Sequence, residues 1–255
     1  MIVWALFDSG NGCYTQAAMQ ADGVEIYPIG IDIENKNSHF ISLNLADYGR
    51  MFGDNRLFDV LDGLPKPDLI IAGPPCESWS IASVMWGGNA SWKQEKGVNR
   101  NLSKFTIRNR VDYELPHVQF KYERSFFNRI NGELCIYNTI EIIKRYQPKV
   151  FIIENPASSR IWHYISDILN FNIKYENLTY YNNYGYPIQK ATKFKSNINL
   201  NLKSEKKKGN KQWGSFSKKY NERSNIPIDL ILDIYKSAKL ALKKEIVTHC
   251  NLKLF

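Results

Sequence analysis

At 255 residues and 44% hydrophobic content, the chain can bury one good-sized core with a small appendage, and no apolar run nears the ~20 residues of a membrane span. Four cysteines (Cys13, Cys76, Cys135 and Cys250) stand far apart with no C-x-x-C pair, which argues against a disulfide framework or a zinc site and for a reducing compartment. The net charge of +9 is uneven: residues 93–130 carry nine basic against four acidic side chains, residues 195–223 carry nine against two, and the remainder is slightly acidic. An acidic body with two basic segments points to a polyanionic partner; lysine-rich loops that only aid solubility are the plainer alternative. The amino end, Met1 to Asp8, has no basic n-region and meets an acid too early for a signal peptide. The expectation is a cytoplasmic monomer with no metal and no membrane partner.

In chain order, Ile2 to Phe7 reads as a buried first strand, followed by the turn Asp8-Ser-Gly-Asn-Gly-Cys13 and a helix from about Tyr14 to Gln20. Strand, glycine turn and helix open a nucleotide-binding type of α/β fold, and Gly10 and Gly12 would let backbone pass close to a ligand. The third glycine of the dinucleotide pattern is replaced by Thr15. Val24 to Ile31 is a second strand, with Asp32 and Glu34 at its tip; an acid about 20 residues after the glycine turn suits a ribose diol, although acids at strand ends are also ordinary surface chemistry. Leu43 to Leu45 is a candidate third strand, with Asp47 and Tyr48 after it.

Asp68 to Ala72 is the fourth strand, and it stops at Gly73-Pro74-Pro75 to deliver Cys76. Two prolines stiffen this loop at the carboxyl edge of a parallel sheet, where a positioned nucleophile belongs. A buried thiol acting only as a small hydrophobe is the competing reading. Residues 84–130 lack clear periodicity and interleave aromatics (Trp86, Trp92, Phe105, Tyr113, Phe120, Tyr122, Phe126, Phe127) with Arg and Lys. Such a segment suits phosphate contacts and base stacking, or else packs its aromatics inward. Leu134 to Tyr146 has helical spacing. Val150 to Ile153 is another short strand, ending in Glu154-Asn155-Pro156, where a carboxylate could face the same pocket as Cys76. A strand begins near Tyr180 and leads to Tyr184-Gly-Tyr-Pro187. The polar stretch 195–223 reads as a flexible insertion or binding arm, and Ile228 to Leu242 as the last helix.

Taken in order, Phe7-x-x-Gly10-x-Gly12, Asp32/Glu34, Pro74-Pro-Cys76-x-x-x-Ser80, Glu154-Asn155 and Tyr184-Gly-x-Pro187 resemble the DNA (cytosine-5) methyltransferase family, in the compact form with Glu-Asn-Pro. The resemblance implies an α/β, Rossmann-like class I S-adenosylmethionine-dependent methyltransferase fold, a mostly parallel sheet with helices on both faces. It covers most of residues 1–80, 134–194 and 223–246. The implied layout is a catalytic domain of 1–194 plus 224–255, an aromatic and basic insertion at 84–130, and a short basic segment at 195–223 in place of a full target-recognition domain.

The resemblance also implies roles. Cys76 attacks cytosine C6, Glu154 in its acid form bonds N3, Asn155 holds the loops, and Lys190 supplies the cation near O2, with Lys193 as the alternative. The methionine of S-adenosyl-L-methionine lies against Phe7, Asp8, Gly10, Asn11 and Gly12, and its ribose on Asp32 beside Ile33. Its adenine lies beside Asp47 and Tyr48, while Pro74 and Ser224 complete the pocket. The partner is double-stranded DNA, with the target base flipped out. Departures from the family pattern are Ile188 at a Gln position, Lys190 and Thr192 at two Arg positions, and Glu77 at a Gln position. RNA as substrate, or a binder without catalysis, are the other readings; an amino-methyltransferase is disfavoured, since a thiol follows Pro75.

Overall fold

The computed structural model describes residues 1–31, 39–80, 91–94, 105–114, 122–211 and 225–252. The strands among these residues are β1 (Ile2–Leu6), β2 (Glu25–Gly30), β3 (Ile41–Ser42), β4 (Leu69–Ala72), β5 (Trp92–Gln94), β6 (Phe105–Ile107), β7 (Val150–Pro156), β8 (Tyr175–Tyr180) and β9 (Ala191–Ser196). The α-helices among them are α1 (Cys13–Ala18), α2 (Arg56–Asp62), α3 (Tyr122–Tyr146), the short α4 (Ile161–His163) and α5 (Ile228–Leu252).

Seven strands form one sheet in the order β3-β2-β1-β4-β7-β9-β8, while β5 and β6 make a separate antiparallel ribbon. From β3 to β7 the neighbours run parallel; β9 lies antiparallel between β7 and β8. The apolar runs alternate between two cores. Val3, Ala5, Leu69, Ile71, Val150 and Ile152 pack under α1 and α5 with Tyr14, Ala17, Leu230, Ile234 and Tyr235. Trp4, Leu6, Ile70, Ala72 and Ile153 pack on the other face with Leu57 and Leu61 of α2 and Ile136, Ile140 and Ile143 of α3. Because both faces are covered, the central strands can be continuously apolar, which is why they stand out in the sequence. A mostly parallel sheet clad on both sides, with one antiparallel strand inserted before the last edge, is the Rossmann-like α/β methyltransferase fold.

Several expected boundaries move. The third strand is Ile41–Ser42; Leu43 and Leu45 follow it as buried core residues. Helix α3 starts at Tyr122, twelve residues before Leu134, because its first turns present Tyr122, Phe126 and Phe127 to solvent and carry no apolar stripe. Helix α2 had no counterpart in the sequence reading; only Leu57 and Leu61 mark its buried face. Strand β7 continues through Glu154 and Asn155 to Pro156, since β9 pairs alongside it (Glu154 with Phe194, Asn155 with Lys193). Glu154 is therefore held on a strand, where a turn was expected. Tyr180 closes β8 and does not open it.

Of the segment expected as a flexible insertion or binding arm, residues 195–211 are described, and they are anchored. Residues 195 and 196 finish β9, so the boundary drawn at 194 falls inside that strand. From Leu200 to Lys211 the chain folds back along the β8–β9 hairpin as a strap. Thr179 Oγ1 and Asn183 Nδ2 donate to the Lys203 carbonyl, Asn183 Nδ2 to that of Glu205, and Asn182 Nδ2 to that of Lys207 at 2.8 Å. Lys211 N donates to the Pro187 carbonyl at 2.9 Å. A Cβ on Gly209 would meet Gln189 N at 2.6 Å, so only glycine lets the strap lie so close.

Candidate active site

The β4–β7 pair sets the geometry of the site. Ala72 aligns with Ile153, so the loop Gly73-Pro74-Pro75-Cys76 and the pair Glu154-Asn155 leave the same sheet edge side by side. Asn155 is completely buried, and its Nδ2 donates to the Pro74 carbonyl at 2.9 Å. That bond ties the thiol loop to the carboxylate strand, and its distance is ordinary for an amide donor. After Cys76 the chain turns back on itself: Trp79 N and Ser80 N both donate to the Cys76 carbonyl. Trp79 fills the space behind the turn, stacked on Trp92 at 5.8 Å and against Tyr164 at 4.9 Å.

Cys76, Glu154 and Lys190 each keep some accessible surface, yet each is enclosed enough for burial to move its proton equilibrium. Burial pushes the Cys76 thiol up; the Glu154 charge raises it further, and Lys190 pulls it back. Burial likewise raises the Glu154 carboxyl, with Lys190 and then Tyr181 opposing. Lys190 is lowered by burial and raised by Glu154 and Cys76. The three groups thus feel one another in one low-dielectric pocket. Burial and the Glu154 charge both oppose ionisation of Cys76, while the Lys190 ammonium favours the charged form of the thiol and of the carboxyl alike. The register also separates the two candidate cations. Lys193 Nζ pairs with Glu176 on β8 at 2.6 Å, whereas Lys190 lies beside Glu154.

The glycine turn lies at the same edge, across β1. Asp8 is buried, and its carboxylate is committed to the turn itself. Oδ1 accepts from Gly10 N at 2.7 Å, Gly12 N at 3.2 Å and Thr15 Oγ1 at 3.2 Å, while Oδ2 accepts from Thr15 N at 3.2 Å. Burial raises the Asp8 carboxyl and these donors pull it back. A Cβ on Gly12 would lie 2.9 Å from both Asp8 oxygens, which is why glycine is required there. Asp8, expected beside the cofactor, turns its side chain to the glycine turn and to Thr15 at the start of α1, which leaves its backbone at the sheet edge.

Phe7 adopts a positive φ of 67° as β1 ends, an uncommon conformation for a side chain of this size. It is held there by Phe7 N donating to Ile29 O at 2.8 Å, and Gly30 lets the Asp8 carbonyl pass at a distance a Cβ would close to 2.8 Å. Between the start of α1 and the lead-in to α5 lies a cleft of about 180 Å³ lined by Cys13, Gln16, Tyr186, Asn225 and Ile226. Burial pushes the Cys13 thiol up to about 12, so it is no thiolate at neutral pH.

Asp47 and Tyr48 follow β3. Asp47 Oδ1 accepts from Gly49 N, and its carbonyl accepts from Asn138 Nδ2 at 2.8 Å, so α3 anchors this loop. Ile31, at the end of β2, and Tyr48, edge-on to Phe52 at 6.2 Å, are both left open, at 67% and 56% exposed. Asp32, Ile33 and Ser224 lie outside the described residues. Among the described residues no cluster of three or more His, Cys, Asp or Glu could hold a metal ion, and no helix is long and apolar enough to cross a membrane. Tyr14 and Tyr181, which stand around Glu154, were missed from sequence; nothing distinguishes Tyr181 from its neighbours Tyr180 and Tyr184 until the hairpin is folded.

Fold and site together define a Rossmann-like methyltransferase scaffold with a thiol, a carboxyl and an ammonium group at one sheet edge. No family model matches the chain and no curated protein matches it. Solved structures of similar fold include a protein assigned as a DNA modification methyltransferase encoded within an E. coli prophage, at 16% identity and TM-score 0.41 over 77% of this chain and 46% of that one. The S. pombe Dnmt2 methyltransferase is similar at 15% identity and TM-score 0.42, over 78% of this chain and 52% of that one. The Entamoeba histolytica methyltransferase EhMeth is similar at 14% identity and TM-score 0.43, over 82% and 57%. The chain spans about half the length of these structures, and its chemistry has to be read from its own residues.

Proposed function

We propose that the chain methylates C5 of cytosine in DNA, with S-adenosyl-L-methionine as donor and Cys76 as a transient covalent catalyst. The observation that carries the reading is the convergence of Cys76, Glu154 and Lys190 at one sheet edge, with Asn155 tying the loop that bears the thiol to the strand that bears the carboxyl. Cytosine C5 is a poor nucleophile. Bond formation from the Cys76 sulfur to C6 breaks the ring's conjugation and makes C5 an enamine carbon. Charge that develops on N3 and O2 is met by the protonated Glu154 and by the Lys190 ammonium respectively. Once C5 carries the methyl group, loss of its proton and expulsion of the Cys76 thiolate restore the aromatic ring. A proton passed from the Cys76 thiol to the Glu154 carboxylate would supply both the thiolate that attacks C6 and the acid form that bonds N3.

S-adenosyl-L-methionine, when bound, supplies an electrophilic methyl group on a sulfonium centre. The residues at the edge fit such a group: the glycine turn and the cleft beside Cys13 and Ile226 suit its methionine end, and the exposed Tyr48 ring suits its purine. Asp32 with Ile33, and Ser224, remain proposed contacts to its ribose and carboxylate ends; Gly10, Asn11, Gly12, Asp47 and Pro74 remain proposed wall residues.

For the partner, the strap turns its backbone inward and leaves Lys206, Lys207, Lys208 and Lys211 exposed beside the loop that carries Lys190. Lysines on a pinned backbone suit phosphates and carry no base readout, which favours a reader with relaxed sequence preference. Bisulfite sequencing of DNA from cells expressing the protein tests the activity: cytosines that resist conversion only when Cys76 is intact support it, and no protection argues against it. Transfer of labelled methyl to duplex DNA and to tRNA in parallel separates the DNA reading from the RNA one.

A further inference from the structure

The β8–β9 hairpin brings more than a cation to Glu154. Tyr181 N donates to the Lys190 carbonyl at 3.1 Å, so these two residues face each other across the hairpin end. The Tyr181 side chain is fully buried; its hydroxyl donates to Glu154 Oε1 at 3.3 Å, and the Lys190 Nζ sits 4.7 Å above its ring centroid. One aromatic side chain therefore touches both the carboxyl and the ammonium, and it is braced edge-on by Tyr186 at 5.6 Å. The other carboxyl oxygen, Oε2, lies towards Gly73, where a Cβ would come within 3.5 Å of it and within 3.0 Å of the Tyr14 hydroxyl. Gly73 opens the loop that carries Cys76, so Oε2 is the oxygen on the side of the thiol.

We propose, building on the methyl-transfer reading, that Tyr181 is a positioning residue: its phenol holds Oε1 so that Oε2 presents the proton to the base, while its ring fixes Lys190 beside the same carboxyl. A phenol suits the task because it is a neutral donor. A second cation at this place would drive the carboxyl towards its ionised form, whereas the hydroxyl orients the group and opposes protonation only modestly. Tyr181 itself stays protonated, since burial and the neighbouring Glu154 hold its own ionisation well above the ordinary phenol value. The face-on ammonium is a cation–π contact in a desolvated place, which restricts where Lys190 can point.

Tyr181→Phe keeps the ring under Lys190 and removes only the hydroxyl. The expected result is a kcat about tenfold lower with KM for DNA and for S-adenosyl-L-methionine unchanged, and an alkaline limb of the kcat profile displaced to higher pH. The sign follows from the missing donor: the Tyr181 hydrogen bond lowers the Glu154 pKa, so its removal raises it. In a Glu154→Gln background the same substitution should change kcat no further. A second readout needs no turnover: the carboxyl stretch of Glu154, isolated by infrared difference against Glu154→Gln, should titrate at higher pH in Tyr181→Phe. An unshifted carboxyl titration overturns the role of Tyr181 whether or not the protein is active. Absence of transfer by the unaltered protein, with the titration shifted as expected, overturns the methyl-transfer reading alone. Full kcat in an active protein, with an unmoved pH profile, overturns the role of Tyr181 alone.

Discussion

Two carboxylates sit at the same sheet edge, Asp8 after β1 and Glu154 near the end of β7, and both are raised by burial. Asp8 is closed off and receives four donors from its own loop, all within 3.2 Å. Glu154 keeps accessible surface and receives one phenol at 3.3 Å, with an ammonium nearby. The difference teaches how to tell a brace from a working group in the same setting. A carboxylate whose oxygens are all answered by neighbouring donors stabilises the turn that supplies them, while one with a single donor beside a thiol and a cation keeps accepting capacity unspent.

The comparison can be broken most severely at the thiol beside Glu154. Cys76→Ser should lower methyl transfer by roughly 10⁴-fold while leaving cofactor binding intact, because the loop geometry rests on Asn155 and the prolines and not on sulfur; equilibrium binding beside single-turnover rates checks both halves. Glu154→Gln should lower transfer by about 10²-fold to 10³-fold, the range for removal of a general acid. The two carboxylates should then respond oppositely in stability to the same amide replacement. Asp8→Asn turns one accepting oxygen into an NH₂ that meets a backbone N–H, at a cost of about 2 kcal/mol. Glu154→Gln removes a proton equilibrium the fold resists and should stabilise by about 1 kcal/mol.

The pH dependence sharpens this contrast. The folded-state pKa of Glu154 lies above its ordinary 4.5, so its contribution to stability is complete below 4.5 and fades as pH rises through the folded value. Denaturation midpoints of the unaltered protein and Glu154→Gln should therefore coincide in acid and diverge with rising pH, the Gln variant being the more stable. Equal midpoints at every pH would show that Glu154 is solvated like a surface group. The smallest expected effect lies on the strap: replacing Lys206, Lys207 and Lys208 with Ala should lower the slope of log K against log salt by roughly 1 for each phosphate no longer neutralised, with kcat unchanged. A flat response would remove the strap from the binding face.

Much of the scaffold was legible because the central strands are buried on both faces. The runs at Ile2, Leu69 and Val150 need no alternation to be noticed, and each ends in chemistry at the carboxyl edge. What stayed hidden depends on pairing across the chain. Lys190 and Lys193 are three residues apart in an unremarkable polar stretch, and only the β8–β9 register sends Lys193 to Glu176 and leaves Lys190 at Glu154. The same hairpin selects Tyr181 from a run of tyrosines. The glycine turn drew attention to Asp8 in the sequence, but only the folded turn shows its spacing to Gly10, Gly12 and Thr15 folding its side chain inward. The strap reads from sequence as a flexible insertion or binding arm because its composition is polar; its anchors are asparagine, threonine and tyrosine side chains on the hairpin, which composition does not reveal.

The most direct test of covalent methyl transfer is to incubate the protein with S-adenosyl-L-methionine and duplex DNA in which cytosine is replaced by 5-fluorocytosine. Fluorine at C5 blocks the elimination that would free the enzyme, so a denaturant-stable protein–DNA adduct is expected, with the cross-link mapping to the peptide containing Cys76 and absent in Cys76→Ser. Protein that methylates ordinary DNA yet forms no such adduct, or forms it through another residue, would contradict the role assigned to Cys76.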